Sequence, residues 1–125
     1  MRKILVVDDE SVSRRLVGGV LEQSGDSVIY AASGDRALAV LEDNPDVQLV
    51  ITDYMMEGFS GRDLVNVMRK NAALCKIPVI LVSGIVKLSE IHDLLEHGVD
   101  RFMPKPIHAG ELREYVQQLT EKTED

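Results

Sequence analysis

Five residues with reactive side chains each stand at the end of a short apolar run of the sequence. They are three carboxylates, a hydroxyl and an amine: Asp8, Asp9, Asp53, Ser83 and Lys105. If the fold gathers them, the carboxylates repel one another, and a hard divalent cation such as Mg²⁺ relieves the repulsion through oxygen ligands. The amine and the hydroxyl are donors for phosphoryl oxygens. The set therefore predicts a site at which Asp53 can become an aspartyl phosphate.

The predicted geometry of a parallel sheet explains how these residues would meet. Parallel strands place their carboxyl ends along one edge, and ligands bind there at the point where the strand order reverses. In the order 2-1-3-4-5, the first and third strands are neighbours about 4.8 Å apart. Two carboxylates about 5 Å apart repel by roughly 3 kcal/mol at an effective dielectric constant near 20. Asp8, Asp9 and Asp53 therefore need a bound cation or a proton.

The elements that must position the site are short apolar runs that alternate with amphipathic stretches. The runs predict strands near residues 4–7, 27–32, 47–52, 78–82 and 99–103. After each run, apolar residues recur at helical spacing. Parallel strands need crossover helices, and both faces of a buried sheet must be covered. We therefore predict a doubly wound α/β domain with a five-stranded parallel sheet. For its strand order we take 2-1-3-4-5, the order of the flavodoxin-like (βα)5 arrangement.

Individual residues add detail to the helices. Ser33 predicts a helix N-cap, and Gly25 predicts a left-handed helix stop. The helical spacing also predicts which side chains face the sheet. For the first helix these are Leu16, Val17, Val20 and Leu21, and for the fourth they are Leu88, Ile91, Leu94 and Leu95.

Length and composition limit the classes of protein that fit. The 125 residues suffice for one domain, which we place at residues 1–120, with 121–125 as a polar tail or the start of a linker. The net charge of −7 argues against direct nucleic-acid binding by this domain, because phosphate contacts need clustered Lys and Arg. Neither a signal peptide nor a membrane span is predicted, so a cytoplasmic location is expected.

The ordered set of residues resembles the receiver domain of two-component response regulators, and the resemblance covers nearly the whole chain. It rests on Asp8-Asp9, Asp53, Ser83, Phe102 and Lys105-Pro106 at their spacing. The resemblance implies that Asp53 accepts a phosphoryl group from a sensor histidine kinase or a histidine phosphotransfer protein. It implies a signalling module rather than an enzyme, with Mg²⁺-dependent self-phosphorylation and dephosphorylation.

The resemblance also assigns roles to the residues around Asp53. Asp9, Asp53 and the backbone carbonyl of Met55 would bind Mg²⁺ directly, while Asp8 would act mainly through water. Lys105 and Ser83 would hold the phosphoryl group, and no other cofactor is expected. Ser83 and Phe102 would form a switch that changes the face made by the fourth helix, the fifth strand and the last helix.

The same resemblance suggests partners and contains one departure from the family pattern. A downstream target protein or a fused output domain would read the switched face, and a phosphorylation-dependent homodimer is a further option. Arg14 and Arg15 are either contacts for the kinase or part of a solvated helix face. Glu57 stands where the family usually has Pro, which places a negative charge near the site and puts the lifetime of the phosphoryl group in question.

Other interpretations of the same residues remain open from the sequence. Asp8 or Asp9 alone could cap the first helix, and Asp53 could be an ordinary loop acid. A receiver fold could also serve as a constitutive protein-interaction domain that takes no phosphate in the cell. A Mg²⁺-dependent phosphatase acting through Asp53 would need a second acid two residues later, where the sequence has Met55.

Overall fold

Five strands alternate with five helices in the computed structural model of the chain, which describes residues 1–56, 58–84 and 87–121. The strands are β1 (Lys3–Val7), β2 (Ser27–Ala31), β3 (Leu49–Asp53), β4 (Val79–Ser83) and β5 (Arg101–Pro104). The helices are α1 (Ser11–Gln23), α2 (Gly34–Asp43), α3 (Gly61–Arg69), α4 (Leu88–Glu96) and α5 (Ala109–Thr120). None of the described helices combines the length and the hydropathy that a membrane span requires.

The strands form one parallel sheet in the order β2-β1-β3-β4-β5, which confirms the predicted topology. Val7 of β1 lies opposite Thr52 of β3, so the residues that follow these two strands are brought side by side. From β1, the chain first adds β2 on one side of the sheet and then adds β3, β4 and β5 on the other side. The point of reversal is therefore the place where Asp8 and Asp53 approach each other.

Each face of the sheet carries its own apolar core because successive side chains of a strand point to opposite faces. Leu5, Val7 and Leu81 pack on the face covered by α2, α3 and α4. Ile4 and Val82 pack on the face covered by α1 and α5. All five residues of β3 and of β4 are buried, which accounts for the apolar run with which each of these strands begins.

The predicted N-cap of α2 and the predicted stop after α1 are both present. The Ser33 hydroxyl accepts the Arg36 amide at 3.2 Å and caps α2. Ser60 and Asp63 form a capping box at the start of α3. Gly25 adopts φ of 87° after α1, in the left-handed region that favours glycine.

The predicted inward faces of α1 and α4 are partly wrong. Leu16 of α1 is 61% exposed, and Leu88 and Leu95 of α4 are 82% and 43% exposed. Helix α1 presents Val17 and Leu21 to the sheet, which turns Leu16 toward the rim. Of the α4 residues, all of which the structure describes, only Leu94 is buried. Helix α4 is thus attached to the core by a single fully enclosed side chain.

The edge of the sheet opposite the site is held by an arginine at the end of α3. The Arg69 guanidinium donates to the Gly98 carbonyl at 2.6 and 3.0 Å, and to the carbonyls of Cys75 and Ile77 at 3.1 and 2.8 Å. It also pairs with the Asp100 carboxylate at 3.1 Å. One side chain therefore connects α3, the segment before β4 and the turn before β5.

Candidate functional site

Three carboxylates meet at the carboxyl ends of β1 and β3. Asp53 is the last residue of β3 and is 7% exposed, while Asp8 follows β1 and is 4% exposed. Asp9 lies beside them and is exposed. One carboxylate oxygen from each residue lies within 4.8 Å of the others, so the group could hold a metal ion. The predicted clustering of Asp8, Asp9 and Asp53 is therefore present in the structure.

Lys105 brings a positive charge to this cluster from the loop after β5. Its Nζ lies 3.3 Å from Asp8 Oδ2 and 3.3 Å from Asp53 Oδ1. The Lys105 amide donates to the Ser83 carbonyl at 2.9 Å, which fixes the start of this loop against the end of β4. The four side chains come from the ends of three strands, and only the fold brings them together.

Burial and charge shift the pKa values of the central pair. Burial, followed by the charge of Asp8, raises the pKa of Asp53, and the opposing pull of Lys105 does not cancel the increase. Burial favours a lower pKa for Lys105, but the charges of Asp53 and Asp8 outweigh it and raise that pKa. Lys105 therefore stays charged at neutral pH. One ammonium group among three carboxylates still leaves an excess of negative charge, which favours a further cation.

Ser83 is the last residue of β4, and Phe102 lies on the neighbouring strand β5, opposite Leu81. The Ser83 side chain is 1% exposed, and its Oγ has no hydrogen-bond partner among the described residues. Phe102 is half-buried and packs against the core beneath α2, α3 and α4. Such a buried hydroxyl without a partner costs about 1–3 kcal/mol. Neither residue contacts Asp53 through a described hydrogen bond.

The loop after Asp53 is only partly described. Met55 is exposed beside the site, and its neighbour Met56 is buried. Glu57, the departure from the family pattern, lies outside the described residues, as does the tail beyond Glu121. The placement of the Glu57 charge therefore remains a prediction from the sequence.

Gly61 packs closely against the candidate site, and the sequence interpretation missed it. A Cβ atom at Gly61 would lie 2.4 Å from the Asp53 carbonyl oxygen and 2.9 Å from Leu81 Cδ1. The Gly61 amide donates to the Tyr54 carbonyl at 3.0 Å. Glycine thus lets the first turn of α3 press against the backbone of the central aspartate.

Two residues in the first turn of α1 also support the site. Ser13 Oγ lies 3.4 Å from Lys105 Nζ and donates to Glu10 Oε1 at 3.2 Å. Arg14 Nη1 donates to the Asp8 carbonyl at 2.7 Å, whereas Arg15 is exposed. The sequence indicated this role only through the short distance along the chain between these two residues and the paired acids Asp8-Asp9.

The simple capping interpretation of the paired acids is wrong. The N-cap residue of α1 is Glu10, and its side chain makes no capping hydrogen bond. Asp8 Oδ1 accepts the Glu10 amide at 2.9 Å, a contact that orients Asp8 while its other oxygen faces Lys105. Asp8 thus belongs to the acidic cluster and contacts Lys105.

Comparison with known proteins agrees with this arrangement. Residues 4–117 match the family model of the response regulator receiver domain. The chain belongs to this family. This receiver domain is 36% identical over 109 residues to a two-component response regulator of rice, Oryza sativa subsp. indica (ORR11), a match that covers 87% of this chain and 74% of the relative.

Solved receiver structures share the fold over almost the entire domain. A response regulator receiver protein from Pseudomonas putida aligns with a TM-score of 0.88 at 32% identity, covering 94% of this chain and 96% of that one. The receiver domain of a signal transduction histidine kinase from Syntrophus aciditrophicus aligns with a TM-score of 0.88 at 26% identity, covering 100% and 96%. The receiver domain described here is thus a signalling module of the two-component type.

Proposed function

We propose that this receiver domain is a phosphorylation-controlled switch whose phosphoacceptor is Asp53. The observation that carries the proposal is the ammonium group of Lys105, 3.3 Å from both Asp8 and Asp53, within a cluster of three carboxylates. In the proposed reaction, an Asp53 carboxylate oxygen attacks the phosphorus of a phosphohistidine. The O–P bond forms as the P–N bond breaks, and the imidazole nitrogen of the departing histidine takes a proton.

The charged groups around Asp53 suit the charge of this transfer. Lys105 lies where it can neutralise a phosphoryl oxygen on Asp53, because its Nζ already contacts the carboxylate that would be modified. Ser13 and Asp8 hold the ammonium group from the other side. The buried Ser83 hydroxyl is a free donor for a phosphoryl oxygen. These residues supply orientation and charge, which is most of what phosphoryl transfer needs from a protein.

The donor set also fits a bound Mg²⁺ ion. Hard oxygen ligands are what Mg²⁺ prefers, and the cluster offers carboxylates without His or Cys. We propose Asp9, Asp53 and the Met55 carbonyl as direct ligands, with Asp8 acting mainly through water. When bound, the ion would neutralise charge on the phosphoryl oxygens.

Magnesium should therefore stabilise the folded domain. At a Mg²⁺ concentration 100 times the dissociation constant, we expect the free energy of unfolding to rise by about 2.7 kcal/mol, because only the folded state assembles the three carboxylates. Urea unfolding with Mg²⁺, against Na⁺ at the same ionic strength, measures the gain. The exposed Asp9 allows a matched control, since Asp9→Asn should fold normally and lose most of the gain. An equal gain in Asp9→Asn would contradict the ligand assignment.

The proposed function is tested by supplying the domain with a small phosphodonor. With Mg²⁺, intact mass spectrometry should show one added phosphoryl group on wild type and none when the metal is chelated with EDTA. A domain that binds Mg²⁺ but never gains this mass would favour the constitutive interaction domain instead. Tandem mass spectrometry after borohydride reduction of the acyl phosphate should locate the modification at Asp53.

Ser83 and Phe102 are the proposed switch residues. Ser83→Ala removes a buried hydroxyl that has no partner, so we expect the unphosphorylated domain to be equally stable or up to about 1 kcal/mol more stable. After phosphorylation the variant should gain less stability than wild type, since it lacks one hydrogen bond to the phosphoryl group. Thermal unfolding of both forms measures the difference. A large loss of stability before phosphorylation would show that the hydroxyl has a structural role.

Phe102→Ala separates switching from chemistry. Phosphorylation of Asp53 should proceed, because the half-buried ring packs against the core and carries no polar group that phosphoryl transfer could use. The change that phosphorylation causes in α4 and β5 should shrink, which amide chemical shifts of the two phosphorylation states can measure. Undiminished shifts in the variant would remove Phe102 from the switch.

We further propose that the phosphodonor protein docks beside the site, on the rim of α1. Val12 and Leu16 expose apolar side chains there, and Met55, in the loop after β3, is also exposed. A groove of about 610 Å³ lies next to them, lined by Leu16, Val17, Val20, Lys105, Pro106 and Ile107. An apolar surface that reaches the stem of Lys105 suits a sensor kinase or phosphotransfer protein that must present its histidine to Asp53. The domain itself is proposed to span residues 1–120.

A further inference from the structure

The outer edge of β2 has the geometry of a strand that can accept another strand. The Ser27 amide donates to the Arg2 carbonyl at 2.7 Å, and the Asp8 amide donates to the Ala31 carbonyl at 3.1 Å. Residues 27, 29 and 31 therefore direct their backbone groups to β1. Because parallel strands alternate, Val28 and Tyr30 direct their N–H and C=O groups away from the sheet. No described strand pairs with this side of β2.

The two edges of the sheet differ in how they are protected. The β5 edge contains Arg101 and Pro104, and the Arg101 guanidinium lies 5.7 Å from the centre of the Tyr115 ring. Charged residues and proline are common means of preventing unwanted pairing at an edge. The β2 sequence, Ser-Val-Ile-Tyr-Ala from Ser27 to Ala31, has neither a charge nor a proline. The β2 edge is therefore open to a partner in a way that the β5 edge is not.

Hollows on both sides of this edge leave room for the side chains of an added strand. A trough of about 450 Å³ on the α2 side is lined in part by Tyr30, Ala32, Ala39 and Val40. A smaller hollow of about 310 Å³ is lined by Arg14, Arg15 and Tyr30. Alternate side chains of an extended segment point to opposite faces, so one set would enter each hollow.

The charges around the edge indicate an acidic occupant. Arg14, Arg15 and Arg36 stand around the carboxyl end of β2, and Asp43 borders the trough along α2. Three arginines in one place contrast with the net charge of −7 for the chain. A second copy of the chain would bring the same net negative charge to the interface, whereas a short acidic segment would meet the arginines without that repulsion.

We propose that the open edge of β2 binds an extended, acidic segment of a partner protein as a sixth strand of the sheet. Backbone hydrogen bonds to Val28 and Tyr30 would supply the pairing, and the arginines would select acidic side chains near the carboxyl end of β2. This surface lies apart from the α4, β5 and α5 face of the proposed switch. It goes beyond the proposed phosphorylation of Asp53 and does not depend on it.

A capped peptide with a fluorophore, acetyl-Val-Glu-Val-Thr-Val-Glu-amide, is a suitable probe for the full chain. Two versions, N-methylated at either the odd or the even amides, serve as controls for backbone pairing. In an added strand only alternate amides face β2, so one methylated version should lose binding and the other should retain it. A version with Lys in place of Glu should bind more weakly. Amide hydrogen exchange should slow at Val28 and Tyr30 when the acidic peptide binds.

Two variants of the protein complete the test. Arg36→Glu should weaken peptide binding by about threefold or more, whereas Arg113→Glu, an equal charge change at an exposed position of α5, should leave it unchanged. Val28→Pro removes an outward amide that the sheet does not use, so it should fold and lose binding. Equal binding of both methylated peptides, equal effects of the two charge variants, or no binding would overturn the proposal. If the amides of Val28 and Tyr30 exchange more slowly as the protein concentration rises, without any peptide, the edge of β2 pairs with a second copy of the chain instead.

Discussion

An Asp53→Asn variant should take up no phosphoryl group from a small phosphodonor and, in Mg²⁺-free buffer, should be more stable than wild type. Asparagine keeps the size of the side chain but removes the nucleophilic carboxylate, so the reaction has no acceptor. It also removes one of three crowded negative charges, while Lys105 keeps its contact with Asp8 at 3.3 Å. For a domain of this size, each kcal/mol gained in the free energy of unfolding raises the melting temperature by about 4 °C.

The pH dependence of that gain follows from the raised pKa of Asp53. The folded state holds the Asp53 proton more tightly than the unfolded state, so ionisation of this carboxyl destabilises the folded domain. The penalty is fully present above the raised pKa and shrinks as the pH falls through it. It vanishes below the unfolded value of about 3.9. The stability difference between Asp53→Asn and wild type should therefore be largest at neutral pH and smallest in acid.

A second buried aspartate provides the matched control for this prediction. Asp26 is 8% exposed, but its carboxylate pairs with Arg2 at 2.7 Å instead of facing other carboxylates. Asp26→Asn should therefore lower the melting temperature. Thermal unfolding across pH, combined with intact mass, measures both outcomes. An adduct that persists on Asp53→Asn, or a variant less stable than wild type at neutral pH, would contradict the proposed crowding and chemistry.

Arg69→Ala should lower the free energy of unfolding by about 2–4 kcal/mol, because the side chain is partly buried and makes several charge-assisted hydrogen bonds. The guanidinium donates to carbonyls of Gly98, Cys75 and Ile77 and pairs with Asp100. The Asp100 carboxylate also accepts the Val79 amide at 2.8 Å. Removing Arg69 leaves these acceptors without their charged donor at the start of β4.

The same helix offers a control for Arg69. Arg62 pairs with Asp93 at 3.0 Å, and both side chains are 41% exposed, so Arg62→Ala should cost less than about 1 kcal/mol. Arg69→Lys should recover little of the lost stability, because a single ammonium group cannot reach all the acceptors that the planar guanidinium group contacts. Urea unfolding measures all three variants. Equal losses for Arg62→Ala and Arg69→Ala would show that the network adds nothing beyond a surface ion pair.

The identity of the clustered residues was accessible from the sequence for a physical reason. Residues 49–53 and 79–83 form strands that are buried on both faces. Their sequences are therefore mostly apolar, and each ends in a polar residue at the carboxyl edge of the sheet. Parallel strands then bring every such stop to the same edge. Local pattern and global topology therefore point to the same residues, Asp53 and Ser83 among them.

Contacts that depend on how elements approach one another were not accessible in this way. Helical spacing predicts an apolar face for α1, but the rotation of the helix against β1, β2 and α5 decides that Val17 is buried and Leu16 exposed. Gly61 looks like any loop glycine until the Asp53 carbonyl is placed against it. The acceptors of Arg69 are backbone carbonyls in distant segments, and backbone carbonyls carry no signature in a sequence.

The single buried side chain of α4 determines how much free energy is needed to move this helix away from the sheet. Burying a leucine contributes about 1.5–3 kcal/mol, so releasing Leu94 from the core would cost roughly that amount. A phosphoryl group forms one to three new charge-assisted hydrogen bonds, each worth about 1.5–3 kcal/mol. The two quantities are comparable, so a modification at Asp53 could redistribute the positions of α4 without unfolding the sheet. A more firmly anchored helix would leave the same chemical event without a conformational readout.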